Sequence, residues 1–101
     1  MMVVFFSHSL TTYDTPIEVR CLRIVRQKYP NCKIVNPKYV QVPGPLDTPE
    51  DFANMMEKYI LPIVRSCDVL VYYKDDSYSP GVDMEIAEAS GLGIPVYRLE
   101  V

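Results

Sequence analysis

Two runs along the chain are apolar at every position, residues 3–6 (VVFF) and 69–73 (VLVYY). A strand with one wet face alternates. An unbroken β-rich run is buried on both faces, as at the centre of a parallel sheet covered by helices on either side. Residues 33–36 (KIVN) form a shorter strand. Residues 95–101 (PVYRLEV) alternate, with Tyr97, Leu99 and Val101 on one side and Arg98 and Glu100 on the other, the pattern of an edge strand.

Helices fall between these strands. Two begin with the same phrase, Asp-Thr-Pro, at 14–16 and 47–49. Thr is a favoured N-cap, and Pro suits the first helical position because its missing N–H has no partner there anyway. The second adds Asp51 three residues after Thr48, close to a capping box. The first helix runs to about Tyr29 and stops before Pro30. The second spans 49–66 with Pro62 inside it, where a lost hydrogen bond predicts a kink. The third spans about 81–90 and ends at Gly91 and Gly93. The order β-α-β-α-β-α-β with right-handed crossovers predicts a parallel sheet. With the two greasiest strands central, its order is 2-1-3-4. This is a flavodoxin-like three-layer α/β sandwich, one domain over residues 1–101.

The third helix holds one misfit. On a helical wheel Val82, Ile86, Ala89 and Leu92 share an arc, and Glu85 falls inside it, between Leu92 and Ala89. A buried Glu without a partner is rare.

Composition narrows the function classes. The chain has 101 residues, 49% of them hydrophobic, with net charge −3. The pI is 5.0 and the mean hydropathy +0.01. That balance does not suit a nucleic-acid duplex or an anionic membrane as partner. No apolar run approaches the roughly 18 residues of a membrane span. Strand-like residues from Met2 onward leave no signal peptide. Cys21, Cys32 and Cys67 lack metal-type spacing and read as reduced thiols of a cytoplasmic protein. No metal or cofactor is expected.

In open α/β sheets ligands bind beyond the C-terminal strand ends, where the strand order reverses. Here that point lies between the first and third strands. The loops reaching it are 7–14 (SHSLTTYD), 37–48 and 74–81 (KDDSYSPG). They supply the candidate binding residues Ser7, His8, Ser9, Tyr13, Ser77, Ser79 and Gly81, with Tyr39 and Tyr78 nearby. Glu85 stands one turn into the helix that leaves the third loop, near its positive end. The loop 37–48 is long for a βα connection and reads as a flap over the crevice.

The stretch SPGVDMEIAEASGLGIPV, with Ser79, Gly81, Glu85, Ala89, Gly93 and Pro95, resembles the signature of the nucleoside 2-deoxyribosyltransferase-like superfamily. SCDVLVYY, with Asp68, resembles the strand before it. The superfamily includes deoxyribosyltransferases and deoxynucleoside 5′-monophosphate N-glycosidases. The resemblance implies that Glu85 is a nucleophile attacking the anomeric carbon of a nucleoside or nucleotide. It implies that Ser79 and Gly81 bind the 5′ end of the sugar, and that the protein is a homo-oligomer. The apolar stripe Phe52, Met55, Met56, Tyr59, Ile60 and Ile63 points to the same association. Two departures stand out. Ile60 occupies the position of a family Asp, with Glu57 one turn earlier as a stand-in. The first loop also lacks the Gly and Arg of the monophosphate glycosidases. A non-catalytic nucleotide-sensing domain on the same fold is therefore the alternative. Receiver-like, flavin-binding and TIR-like NAD glycohydrolase domains share parts of the layout.

Overall fold

A computed structural model describes residues 1–44 and 46–101. The strands are β1 (Val3–His8), β2 (Lys33–Val35), β3 (Val69–Tyr73) and β4 (Val96–Arg98). They form one sheet in the order β2-β1-β3-β4, parallel at every pairing. The expected three-layer α/β sandwich is the observed architecture. Among the described residues no helix is long and apolar enough to cross a membrane.

The two apolar runs behave as their pattern requires. Val4, Phe6, Val69 and Val71 point to one side and pack with Cys21 and Val25 of α1 (Pro16–Lys28). Phe5 and Leu70 point to the other and pack with Met56, Ile60, Leu61, Val64 and Ala89. These last residues come from the π-helical segment Met56–Ile60 that follows α2 (Pro49–Met55), from α3 (Leu61–Arg65) and from α4 (Pro80–Gly91).

Local chemistry sets the helix ends. Thr15 and Thr48 cap α1 and α2 by accepting from Glu18 N and Asp51 N, and Thr48 with Asp51 completes a capping box. At the end of α4 the N–H of Ile94 donates to Ala89 O at 3.0 Å and that of Gly93 to Ser90 O at 3.1 Å. This is a Schellman close, and Gly93 at φ 75° supplies its left-handed residue.

Three expectations are corrected. The helix expected over 49–66 is helical without a break from Pro49 to Arg65 but is not α-helical throughout. Residues Met56–Ile60 wind as a π segment, with Leu61 N donating to Met56 O. The wider turn makes room for the Pro62 ring, which in a regular α-helix would press on the carbonyl of Lys58. Leu92 does not join the buried arc of α4. The helix has closed by then, and Leu92 is 56% exposed. β4 is limited to three residues, with Tyr97 and Val101 exposed and only Leu99 of the expected face buried. The apolar stripe also serves the core within the chain. Met56 and Ile60 are buried, and Phe52, Met55 and Ile63 pack partly buried against them.

Candidate functional site

A cavity of about 560 Å³ opens at the C-terminal end of the sheet, where the connections after β1 and β3 leave for opposite faces. β1 reaches further into it than its apolar pattern suggested. Ser7 and His8, expected in a loop, are the last two residues of the strand, paired with Tyr72 and Tyr73. Polar residues at a strand end read as loop, but the ladder to β3 keeps them extended.

The strand period of two then sends them to opposite faces. Ser7 continues the side of Phe5 and meets α4. Its hydroxyl donates to Glu85 Oε1 at 2.6 Å, and both residues are buried. His8 continues the side of Phe6 and meets α1. Its Nε2 lies 2.8 Å from Glu18 Oε2, its Nδ1 lies 3.1 Å from the Phe6 carbonyl, and its ring stacks on Phe6. The tilted ring of Tyr13 is 4.8 Å away.

The two glutamates differ sharply. Glu18 accepts from Lys38 Nζ at 2.7 Å and from the Asp14 amide at 3.3 Å, besides facing His8. Its burial favours the neutral acid, but the Lys38 and His8 contacts outweigh it and hold the pKa near 2. Lys38 is held charged by Glu18 and by Asp14, whose Oδ1 is 2.9 Å from it. Burial pushes His8 down, with the Glu18 hydrogen bond pulling the other way. Glu85 has the Ser7 hydroxyl and little else. Burial raises its carboxyl to about 7, against the pull of that one hydrogen bond. The nearby Tyr13 phenol is pushed up to about 12, first by burial and then by the charges of Glu85 and Glu18.

The rim is built from hydroxyls. Asp75 accepts from Thr11 Oγ1 and from Ser77 N, each at 2.8 Å, and from the Ser77 hydroxyl. Ser9 Oγ is 2.8 Å from Thr11 Oγ1. The belt ties the loop after β1 to the loop after β3. Its bonds, those of Ser77 above all, keep Asp75 below the usual carboxylate range. Ser79 is the N-cap residue of α4, yet its hydroxyl makes no cap bond, so the helix does not consume it. The opposite wall is apolar: Val40, Val42, Phe52, Met55, Met56 and Ile60.

Of the residues expected at the site, His8, Ser9, Tyr13, Ser77, Ser79, Gly81 and Glu85 line this one cavity. Ser7 sits behind Glu85 rather than on the wall. Tyr39 is 75% exposed and outside the lining. Val40, Val42 and Leu46 of the expected flap do line it, while Pro45 of that loop lies outside the described residues. Glu57 cannot stand in at the position of Ile60. It is a surface residue bonded to Arg65 at 2.7 Å, and Ile60 itself lines the cavity. Asp68 serves the opposite end of the sheet, accepting from Val3 N at 2.7 Å.

Glu18, Lys38 and Asp75 were not legible as site residues. Thr15-x-x-Glu18 reads as an ordinary capping box, and Glu18 N does bond Thr15. The carboxylate, however, turns to His8 and Lys38, which no local pattern announces. Among the described residues no group of three or more His, Cys, Asp or Glu is arranged to hold a metal ion.

No protein-family model matches the chain, and no curated protein matches it. A solved structure described as a conserved protein from Enterococcus faecalis V583 aligns with 100% of the chain at TM-score 0.70 and 21% identity. The chain spans 64% of the length of that structure. At this identity the likeness extends to the fold.

Proposed function

We propose that the chain breaks or transfers the N-glycosidic bond of a nucleoside or nucleotide, with Glu85 as the nucleophile. One observation carries the reading: a buried carboxylate with a single hydroxyl donor borders a cavity at the strand switch point. A carboxylate that displaces at a sugar carbon has to touch that carbon in a pocket that excludes water. Glu85 stands one turn inside α4, whose positive end offsets part of the cost of keeping the charge there. Ser7 holds Oε1 and leaves Oε2 to attack. The ester formed at C1′ is then released by water or by a second base. Ser79 and the Gly81 amide, at the head of α4, bind the 5′ end of the sugar. The apolar wall takes the base.

The test is base release from deoxynucleosides and their 5′-monophosphates, followed by chromatography. The wild-type chain releases base, and Glu85→Gln, which keeps shape but loses the attacking charge, does so slower by orders of magnitude. No release by the wild-type chain from these or from any other class of N-nucleoside overturns the assignment. Ile60 on the cavity wall favours a second reading, nucleotide binding without turnover. Saturable binding with no base release by the wild-type chain is its signature.

A further inference from the structure

Breaking a C–N glycosidic bond leaves an electron pair on the base nitrogen. A neutral base departs readily only if an acid protonates it as it goes. Each polar group around the cavity falls short as that acid. His8 lines it, but both ring nitrogens face internal oxygens and its side chain is fully buried. Lys38 is bonded to Glu18 and Asp14, which hold its proton more firmly. Asp75 carries no proton to give, since three donors keep it ionised. The Tyr13 phenol, between two carboxylates, is a weaker acid than free tyrosine, and Tyr78, the other phenol of the lining, is 88% exposed to solvent rather than enclosed with a leaving group. The hydroxyls of Ser9, Thr11, Ser77 and Ser79 are alcohols and far too weak. The wall opposite Glu85 is hydrocarbon and thioether. Among the described residues the cavity thus offers a nucleophile but no acid for the leaving group. Its charges are also one-sided. Glu85 lines it, and the one Lys or Arg among its described lining residues, Lys38, is already paired.

Resting on the reading of Glu85 as nucleophile, we infer that the substrate is an uncharged-sugar N-glycoside whose leaving group is already cationic. The class is a quaternised aromatic nitrogen, such as a pyridinium nucleoside, with no 5′-phosphate. The step then balances without an acid. A Glu85 oxygen bonds to C1′, the C1′–N bond breaks, and its electron pair neutralises the ring cation. A neutral aromatic base leaves across the apolar wall. Water next attacks C1′, the C1′–O bond breaks with its pair returning to Glu85, and the water proton passes to solvent. The Glu85 carboxylate attracts the cation in the ground state. Phe52, Met55 and Met56 offer an aromatic face and polarisable sulfur to its ring.

The experiment compares the wild-type chain and Glu85→Gln on two substrate sets at pH 8. One set is nicotinamide riboside and its 2′-deoxy analogue; the other is 2′-deoxyuridine and 2′-deoxyadenosine. General acid catalysis contributes about 10²–10⁴-fold. A site lacking it should therefore cleave the pyridinium nucleosides at least about 100-fold faster in kcat/KM, with the activity lost in Glu85→Gln. The rate on pyridinium nucleosides should rise as Glu85 ionises and then stay level, with no alkaline fall. Comparable rates on the two sets, or an alkaline fall reporting an essential acid, overturn the inference and leave Glu85 as nucleophile. Cleavage of neither set, or cleavage that survives Glu85→Gln, overturns the nucleophile reading and this inference with it.

Discussion

Adjacent residues of one strand deliver two buried glutamates into opposite circumstances. On the α1 face, His8 leads to Glu18, which meets an imidazole, an ammonium and a backbone amide. On the α4 face, Ser7 leads to Glu85, which meets one hydroxyl and an open cavity. Both carboxylates are equally hidden from solvent, at 3% and 5% exposure. Solvent exposure alone therefore does not separate them; depth of burial and the supply of donors do. Donors pull Glu18 down to about 2 against its burial, and burial raises Glu85 to about 7 against the pull of its one donor. A buried acid with its valences filled is a piece of framework. One left short of donors beside a cavity is poised for chemistry.

The contrast can be broken most forcefully at Glu18. Glu18→Ala leaves His8 and Lys38 without their common partner, and losing one member of a buried ionic cluster costs about 3–5 kcal/mol. Urea denaturation should show that loss at pH 7. Because the folded pKa of Glu18 is depressed, its contribution is complete above the ordinary value of 4.5 and disappears as pH falls toward 2. The deficit of the variant should therefore be constant above pH 5 and shrink in acid. A neutral Glu18→Ala would erase the distinction.

Glu85→Gln should move stability the other way. The folded pKa is raised from 4.5 to about 7, so the acid is most compatible with folding at low pH and its ionisation penalises the native state as pH rises. Linkage puts that penalty at about 3 kcal/mol by pH 8 and below about 1 kcal/mol at pH 5. A Gln side chain escapes it. The variant should melt higher than the wild-type chain at pH 8 and almost level with it at pH 5. Each kcal/mol is about 4–8 °C in a domain of this size. A lower melting temperature at pH 8 would mean that Glu85 is framework as well.

A smaller effect sharpens the picture at Ser7. Ser7→Ala removes the donor of Glu85, at a cost of about 1–2 kcal/mol at pH 8. It should drive the Glu85 pKa further up, so the acid limb of any pH–rate profile moves to higher pH. The smallest effect is expected at the rim. Asp75→Asn weakens the tie between Thr11 and Ser77, worth about 0.5–1 kcal/mol at this exposed position. Substrate affinity should suffer more than turnover, which a separation of KM from kcat would report.

Much of this molecule is written in local pattern. The unbroken runs of β1 and β3, the two Thr-Pro helix starts, the closing Gly93 and the inward face of Glu85 all follow from periods of 2.0 and 3.6 and from cap chemistry. These need only a few neighbouring residues. What local pattern left undecided concerns partners far away in sequence. Ser7 bonds Glu85 across 78 positions, and Lys38 bonds Glu18 across 20. Whether a Glu at the third position of a helix closes a capping box or anchors a histidine depends on what the sheet brings opposite it. Whether Pro62 kinks a helix or widens it into a π segment depends on Met56 and Ile60 both finding the core. Sequence determined which face each residue presents, because that is backbone geometry. Only the tertiary structure decided what waits there, because the number of donors around a buried charge is set by the elements the crossovers bring together.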